Sequence, residues 1–439
     1  MTDAPRLRAL PPPRVLLSPA ARWFVTSFFL ISSALNYLDR LLLSSLAPVL
    51  MTEFHLTKVG YGDLLAAFSL TYAIGSPLLG YWMDRAGLTA ISTLAVGVWS
   101  AAGILTGYVR SAAQLLYCRI ALGAGEAGGI PGTGKVYGTY LLVRERALGA
   151  GVGQLAISAG SLAAPLLAAW ALRRGDWRIA FQIAGALGLL WIAGWFALSR
   201  RFPPHLSMPV PASQSGGSLG VSSSFSTGEG THGLTLLADA RYWRLLAANF
   251  LWMSIYTLWP NWTTVLLTTQ FPLNAETANR VYAWIPPLGS TLGALLGGAL
   301  SMLWITRGTP EVRARLRVCW LTAILSLVTA FVPFAGSPAL AASAISASYC
   351  FVAAGSTNLY TIPVDLWGPA RAGFAISGFV ASFGVTGFVF NPLFGWLIQR
   401  SGNFQALCLG VSGLPLLAFA LVATLERTAP RREAPDAAR

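Results

Sequence analysis

About twelve apolar runs of about 20 residues follow one another along this chain, each ended by a short cluster of Arg, Pro, Gly or Asp. A run of that length crosses the hydrocarbon core of a bilayer as a helix. No water is present there, so every backbone N–H and C=O must pair within its own segment. The runs are drawn at 22–50, 61–83, 88–108, 112–140, 146–171, 178–199, 243–270, 277–304, 316–334, 338–361, 372–398 and 403–425. They leave little of the 439 residues for a globular domain. Only 10% of the residues are charged, against about 25% in a soluble domain. The expected fold is an all-α membrane protein with twelve transmembrane helices.

Residues 201–241 interrupt the series at its middle with Pro203, Pro204 and a Ser/Gly-rich stretch that cannot bury apolar surface. Six runs precede this linker and six follow, so the helices divide into two six-helix bundles. The expected layout is a cytoplasmic tail 1–21, a first bundle 22–200, the linker 201–241, a second bundle 242–425 and a cytoplasmic tail 426–439. The net charge of +14 is spread unevenly over the connections. Arg6, Arg8, Arg14, Arg22, Arg144, Arg146, Arg200, Arg201, Arg313, Arg315, Arg317, Arg431 and Arg432 all fall on one side of that topology. The bias orients a multi-pass protein of the inner (plasma) membrane with both termini cytoplasmic. No aromatic interleaving accompanies the basic clusters, so the expected partner is the lipid bilayer and not nucleic acid. No signal-peptide cleavage site precedes the first run. Cys118, Cys319, Cys350 and Cys408 lie in apolar runs without metal-ligand spacing, and His55, His205 and His232 are scattered over connections. Neither a metal, another cofactor nor a catalytic constellation is expected.

The first run carries Asn36-Tyr37-Leu38-Asp39-Arg40, and the fourth carries Arg119 and Glu126. Each such charge costs about 2.5–3.5 kcal/mol to insert at bilayer depth, so it must face a partner or a water-filled path. Seven residues make nearly two helical turns, which puts Arg119 and Glu126 on one face about 10 Å apart along the axis. Asp39 and Arg40 point about 100° apart and need not serve one partner. If the two runs share a cavity, it holds two guanidiniums, which grip a carboxylate in a bidentate fork, and two carboxylates able to exchange protons. The alternative is two structural ion pairs without a ligand. Tyr37 and Tyr72 belong to the same charged half, while the second half offers only neutral groups: Asn249, Tyr256, Trp259, Asn261, Trp262, Trp284, Ser356, Asn358, Ser382 and Asn391.

Gly80-Tyr81-Trp82-Met83-Asp84-Arg85-Ala86-Gly87, between the second and third runs, resembles a cytoplasmic loop motif of the major facilitator superfamily. Asn36 to Arg40, then Arg119-Ile120-Ala121-Leu122-Gly123-Ala124-Gly125-Glu126-Ala127-Gly128-Gly129-Ile130-Pro131, Lys135 and Glu145-Arg146-Ala147, are similar to that superfamily's anion:cation symporter group of hexuronate, aldonate and phthalate carriers. The resemblance implies a monomeric secondary active transporter that imports a small organic anion, such as a sugar acid, together with a coupling proton. It implies substrate binding by Arg40 and Arg119, proton coupling by Asp39 and Glu126, and gating by Asp84 and Arg85; Tyr37 and Tyr72 join the substrate-binding candidates because they can share the cavity with Arg40. Lys135, nine residues past Glu126 and toward the cytoplasm, reads as a snorkelling or gate-lining residue and not a substrate ligand. Met302 stands where the second-half loop motif has Asp, and Ser76 and Ala381 replace larger amides expected near the substrate. A proton-coupled exporter of drugs or metabolites and a sodium-coupled anion carrier are the competing readings.

Overall fold

The computed structural model describes residues 17–204 and 235–425. Arg6, Arg8, Arg14, Arg431, Arg432, His205, His232 and most of the expected linker lie outside the described residues. The described chain is helical almost throughout and follows the twelve-span order. The first three spans are Pro19–Glu53, Lys58–Ala86 and Leu88–Thr106. The fourth is split into Ala112–Glu126 and Gly129–Tyr140, and the fifth and sixth are Arg146–Arg173 and Arg178–Arg201. The second set begins with Ala240–Gln270. Its eighth span enters through Ala275–Thr277 and a π-helical turn Ala278–Ala283 before Ile285–Thr306, and the ninth runs from Glu311–Leu325 into a 3₁₀ stretch Ser326–Phe334. Pro338–Trp367, Pro369–Ser401 and a twelfth span broken between Gln405–Ser412 and Leu414–Val422 complete it.

Among the described residues, nine of the helical stretches are long and apolar enough to cross a membrane on composition alone. The others include the first span, which carries Asn36, Asp39 and Arg40, and the seventh, which is dense in Trp, Asn and Thr. The fourth span departs from the single run 112–140 because Pro131 has no N–H to give the carbonyl of Ala127, so the ladder breaks just after Glu126.

Packing partners recur at an offset of six spans. The first lies on the fifth, the second on the fourth and the third on the sixth; the seventh lies on the eleventh, the eighth on the tenth and the ninth on the twelfth. These are two six-helix bundles of one design. Bundle ends are tied locally: Arg22 pairs with Glu145 at 2.8 Å, and Asp239 accepts from Arg241 at 2.7 Å and from Trp367 Nε1 at 3.0 Å. The Arg241 guanidinium holds the Asp239 carboxyl below the usual carboxylate range.

With an even number of spans, residues 17–22 and 422–425 share one end of the molecule, here called the terminal face. The bundles meet mainly through the second span on the eleventh and the fifth on the eighth, with the first against the seventh between them. Toward the opposite face these seams are bonded. Tyr61 Oη donates to the Asn261 carbonyl at 2.7 Å, Ser44 Oγ to Asn261 Oδ1 at 3.2 Å, and Asn279 Nδ2 to the Ser45 carbonyl at 2.7 Å. Arg173 lies 3.7 Å from Glu276 at the rim. Gly62 is required by close approach, since a Cβ there would come within 2.5 Å of the Asn391 carbonyl oxygen. Because that neighbour is backbone, Gly62→Val should force the second and eleventh spans apart on the opposite face. Spin labels at Thr57 and Ser401, in a background with the native cysteines replaced, should read a longer distance in this variant than in its parent.

Candidate functional site

Asp39, Arg40, Arg119 and Glu126 are brought together by the packing of the first, third and fourth spans. Gly123 and Gly125 allow it, because a Cβ on the first would come within 2.5 Å of the Phe68 carbonyl oxygen, and one on the second within 2.8 Å of Trp99 N. Span four therefore sinks against spans two and three, and its last turn delivers Glu126 to span one. Glu126 is fully buried; its Oε2 accepts from Arg40 Nε at 3.0 Å, and its Oε1 has no partner. Arg40 also donates to Asn36 Oδ1 at 3.3 Å, and Asn36 reaches the Glu126 carbonyl at 3.5 Å. Around the guanidinium stand three rings, Tyr37, Phe68 and Tyr72, with centroids 5.0, 4.9 and 4.7 Å from its carbon. This aromatic collar holds the cation in place while leaving it 14% exposed.

The four charges form two layers. Arg40 and Arg119 line a cavity between the bundles that encloses about 1000 Å³, part of it open solvent. Asp39 and Glu126 lie behind them. Asp39 is 1% exposed and neither of its oxygens has a hydrogen-bond partner; it abuts Gly103 of the third span, where a Cβ would stand 3.4 Å from Oδ1. Arg119 is 2% exposed, sits 5.8 Å from the Phe181 ring and leaves Nε unpartnered.

Tyr37 and Tyr72 line the same cavity, with Gln154, Ser158, Tyr256, Thr257, Asn261, Ser290, Thr291, Tyr349 and Phe383. Of the neutral candidates in the second bundle, Tyr256 and Asn261 line this space, and Ser356 lines its continuation toward the terminal face. Asn249, Trp259, Trp262 and Asn358 are spent on packing, bonding the Phe379 carbonyl, Ser348, Asn391 and the Gly297 carbonyl respectively. Gln154, Ser158, Thr257 and Tyr349 were missed in the sequence. The spacing of Gln154 and Ser158, one helical turn apart in a Gly/Ala/Leu run, was the available signal.

The space continues past Ile130 and Val380 into a cleft lined by Ser76, Asp84, Lys135, Tyr242, Phe374 and Ala381. Ser76 and Ala381 thus belong to the outlet toward the terminal face and not to the central cavity. Asp84 is paired with Lys135 of its own bundle, and Arg85 lies exposed over the Tyr81 ring at 4.3 Å. Asp84 is at the cleft and Arg85 outside it, so the two gating candidates are not brought together. Met302 is 66% exposed. No group of three or more His, Cys, Asp or Glu that could hold a metal occurs among the described residues.

The profile of the Major Facilitator Superfamily matches residues 29–332. The chain belongs to the major facilitator superfamily. It is a multi-pass membrane transporter of that superfamily and not an enzyme. The hexuronate transporter of Escherichia coli K12 is 25% identical over 357 residues, 79% of this chain and 81% of the relative. The galacturonate transporter of Dickeya chrysanthemi is 26% identical over 293 residues, 64% of this chain and 82% of the relative. A probable L-galactonate transporter of Escherichia coli K12 is 27% identical over 416 residues, 92% of this chain and 89% of the relative. Among solved superfamily structures, a bacterial homologue of the human lysosomal transporter Spinster, inward-facing and occupied, aligns with TM-score 0.71 at 19% identity. The alignment covers 95% of this chain and 100% of that one.

Removing one partner of a buried ion pair leaves an uncompensated charge and costs about 3–5 kcal/mol. Arg40→Ala should therefore lower the thermal unfolding midpoint in detergent, and Glu126→Gln in the same chain should recover much of the loss. Thermal melts of the single and double variants check this coupling.

Proposed function

We propose that this protein imports a small organic acid, a sugar acid of the hexuronate or aldonate type, by proton symport with alternating access. The observation that carries the reading is the charge of the cavity wall: of the charged residue types, Arg40 and Arg119 line it and no Asp or Glu does. An anion entering that space finds two guanidiniums and no competing carboxylate on the surface. The names of the relatives, carriers of hexuronate, galacturonate and galactonate, supply the substrate class.

Arg40 is the pivot. A substrate carboxylate forking onto its free edge competes with Glu126 for the same cation. Relieved of part of its counter-charge, Glu126 takes up a proton, and Asp39 behind it is the second acceptor, reached through the buried layer and not from the cavity. Loading of anion and proton is thereby linked by electrostatics alone. Tyr37 and Tyr72 hold the guanidinium in register.

The bundles, residues 22–200 and 242–425, are the moving bodies, and they rock about the central site. The terminal face is cytoplasmic by its arginine bias, in the inner membrane, so the conformation described is closed to the outside and open inward. Asp84 and Lys135 stand in the inward outlet, and Asp84 and Arg85 act on the gate as the bundles close there. The transporter works as a monomer.

In proteoliposomes with an imposed inward proton gradient, the wild-type protein should accumulate labelled D-galacturonate or D-galactonate, and Arg40→Ala should abolish uptake. Glu126→Gln should keep exchange of internal for external substrate and lose gradient-driven accumulation. Undiminished accumulation by Glu126→Gln, or accumulation driven by sodium in the absence of a proton gradient, would overturn the coupling scheme.

A further inference from the structure

We infer that Thr257 reads a hydroxyl group on the carbon body of the transported acid, so that the cavity takes hydroxylated monocarboxylates in preference to bare or doubly charged acids. The inference rests on the carboxylate being held at Arg40 and Arg119, and concerns the wall that faces them.

That wall belongs to the second bundle and is neutral. A second carboxylate pressed against it would lose its hydration without meeting a cation, and that cost rejects dicarboxylates. A purely apolar chain would strand the polar groups of the wall instead. The decisive group is the Thr257 hydroxyl. Thr257 is 3% exposed, lines the cavity, and its Oγ1 has no hydrogen-bond partner. A helical threonine ordinarily returns its hydroxyl to the carbonyl three or four residues back. Thr263 and Thr268 on the same helix do so, and so does Thr291 across the cavity. Thr257 does not, and unlike Thr264, whose Oγ1 bonds Asn279 Oδ1 at 3.1 Å, it has no partner; it sits in the turn that Pro260 disturbs.

Pro260 lacks the N–H that would close onto the Tyr256 carbonyl, so this turn also carries an acceptor without its helical donor. Asn261 does not fill the gap: its Oδ1 takes Ser44 Oγ at 3.2 Å and its Nδ2 donates to the Thr257 carbonyl at 2.9 Å. The Thr257 hydroxyl is therefore an unspent group in the cavity wall, one residue from a carbonyl that Pro260 leaves without its helical donor. A substrate hydroxyl is both donor and acceptor and can pair with the Thr257 hydroxyl in either sense. A carboxylate only accepts, and a methylene does neither. Thr257 is a specificity residue, acting on which acid is carried and not on how protons are coupled.

The test is uptake of labelled D-galactonate by the full chain in proteoliposomes, competed by unlabelled D-galactonate, by hexanoate (the same chain length without hydroxyls) and by adipate (a carboxylate at each end). In the wild type, D-galactonate should compete at least tenfold better than either. Thr257→Val should weaken D-galactonate about tenfold and leave the hexanoate inhibition constant unchanged, and Thr257→Ser should restore the wild-type ratio. Equal weakening of galactonate and hexanoate by Thr257→Val, or an unaltered galactonate constant, overturns the assignment of Thr257 alone, and adipate matching galactonate in the wild type overturns the rejection of doubly charged acids by the neutral wall. Absence of any galactonate uptake by the wild type overturns the sugar-acid reading itself, and this inference with it.

Discussion

The buried contact between Arg40 and Glu126 is what the rest of the structure is arranged to permit. A carboxylate without solvent exposure is tolerable only beside a cation, and that cation can face a cavity only if its other sides are covered. Gly123 and Gly125 bring the fourth span close enough, the break after Glu126 ends the helix where the carboxylate must turn, and Tyr37, Phe68 and Tyr72 cover the guanidinium. Remove any of these and either the charge loses its partner or the partner loses its view of the cavity. The second bundle contributes none of this electrostatics and supplies the neutral wall opposite.

That division of labour fits the packing repeat. Both bundles use the same neighbour relations between helices, yet only the first carries intramembrane charge around the cavity. The two bundles share one arrangement of helices, the first lined by charges at the cavity and the second by hydroxyls, amides and rings. Movement of one against the other requires seams that open without stranding ions in lipid, and the central links at the closed face are neutral hydrogen bonds beside Pro48 and Pro260.

The spans and the four central charges were legible in the sequence because a charge within an apolar run is costly and therefore conspicuous. Their layering was not. That Arg40 faces the cavity while Asp39 is turned toward Gly103 depends on the rotation of the first span, which its neighbours set and its own periodicity does not. Thr257, Gln154 and Tyr349 escaped notice for the converse reason: neutral residues occur throughout such helices, and only the meeting of two bundles separates those that line a cavity from those that hold helices together. The fourth-span break could have been anticipated from Gly128, Gly129 and Pro131, and the irregular start of the eighth span from Pro286 and Pro287, which have no N–H to give the Tyr282 and Ala283 carbonyls.

Among the described residues, Arg173 and Glu276 form a charged link between the bundles at the opposite face, 3.7 Å long, with the arginine mostly in solvent. Such a pair is worth about 0–1 kcal/mol, and its range shrinks with the Debye length, from about 30 Å at 0.01 M salt to about 8 Å at 0.15 M. A change of 1 kcal/mol alters the ratio of two conformers about fivefold at room temperature. In the rocking cycle proposed above, the balance between outward- and inward-open forms would be set partly by the ionic strength of the medium bathing that face, which makes the salt content of the surroundings a silent variable in how readily the empty carrier turns over.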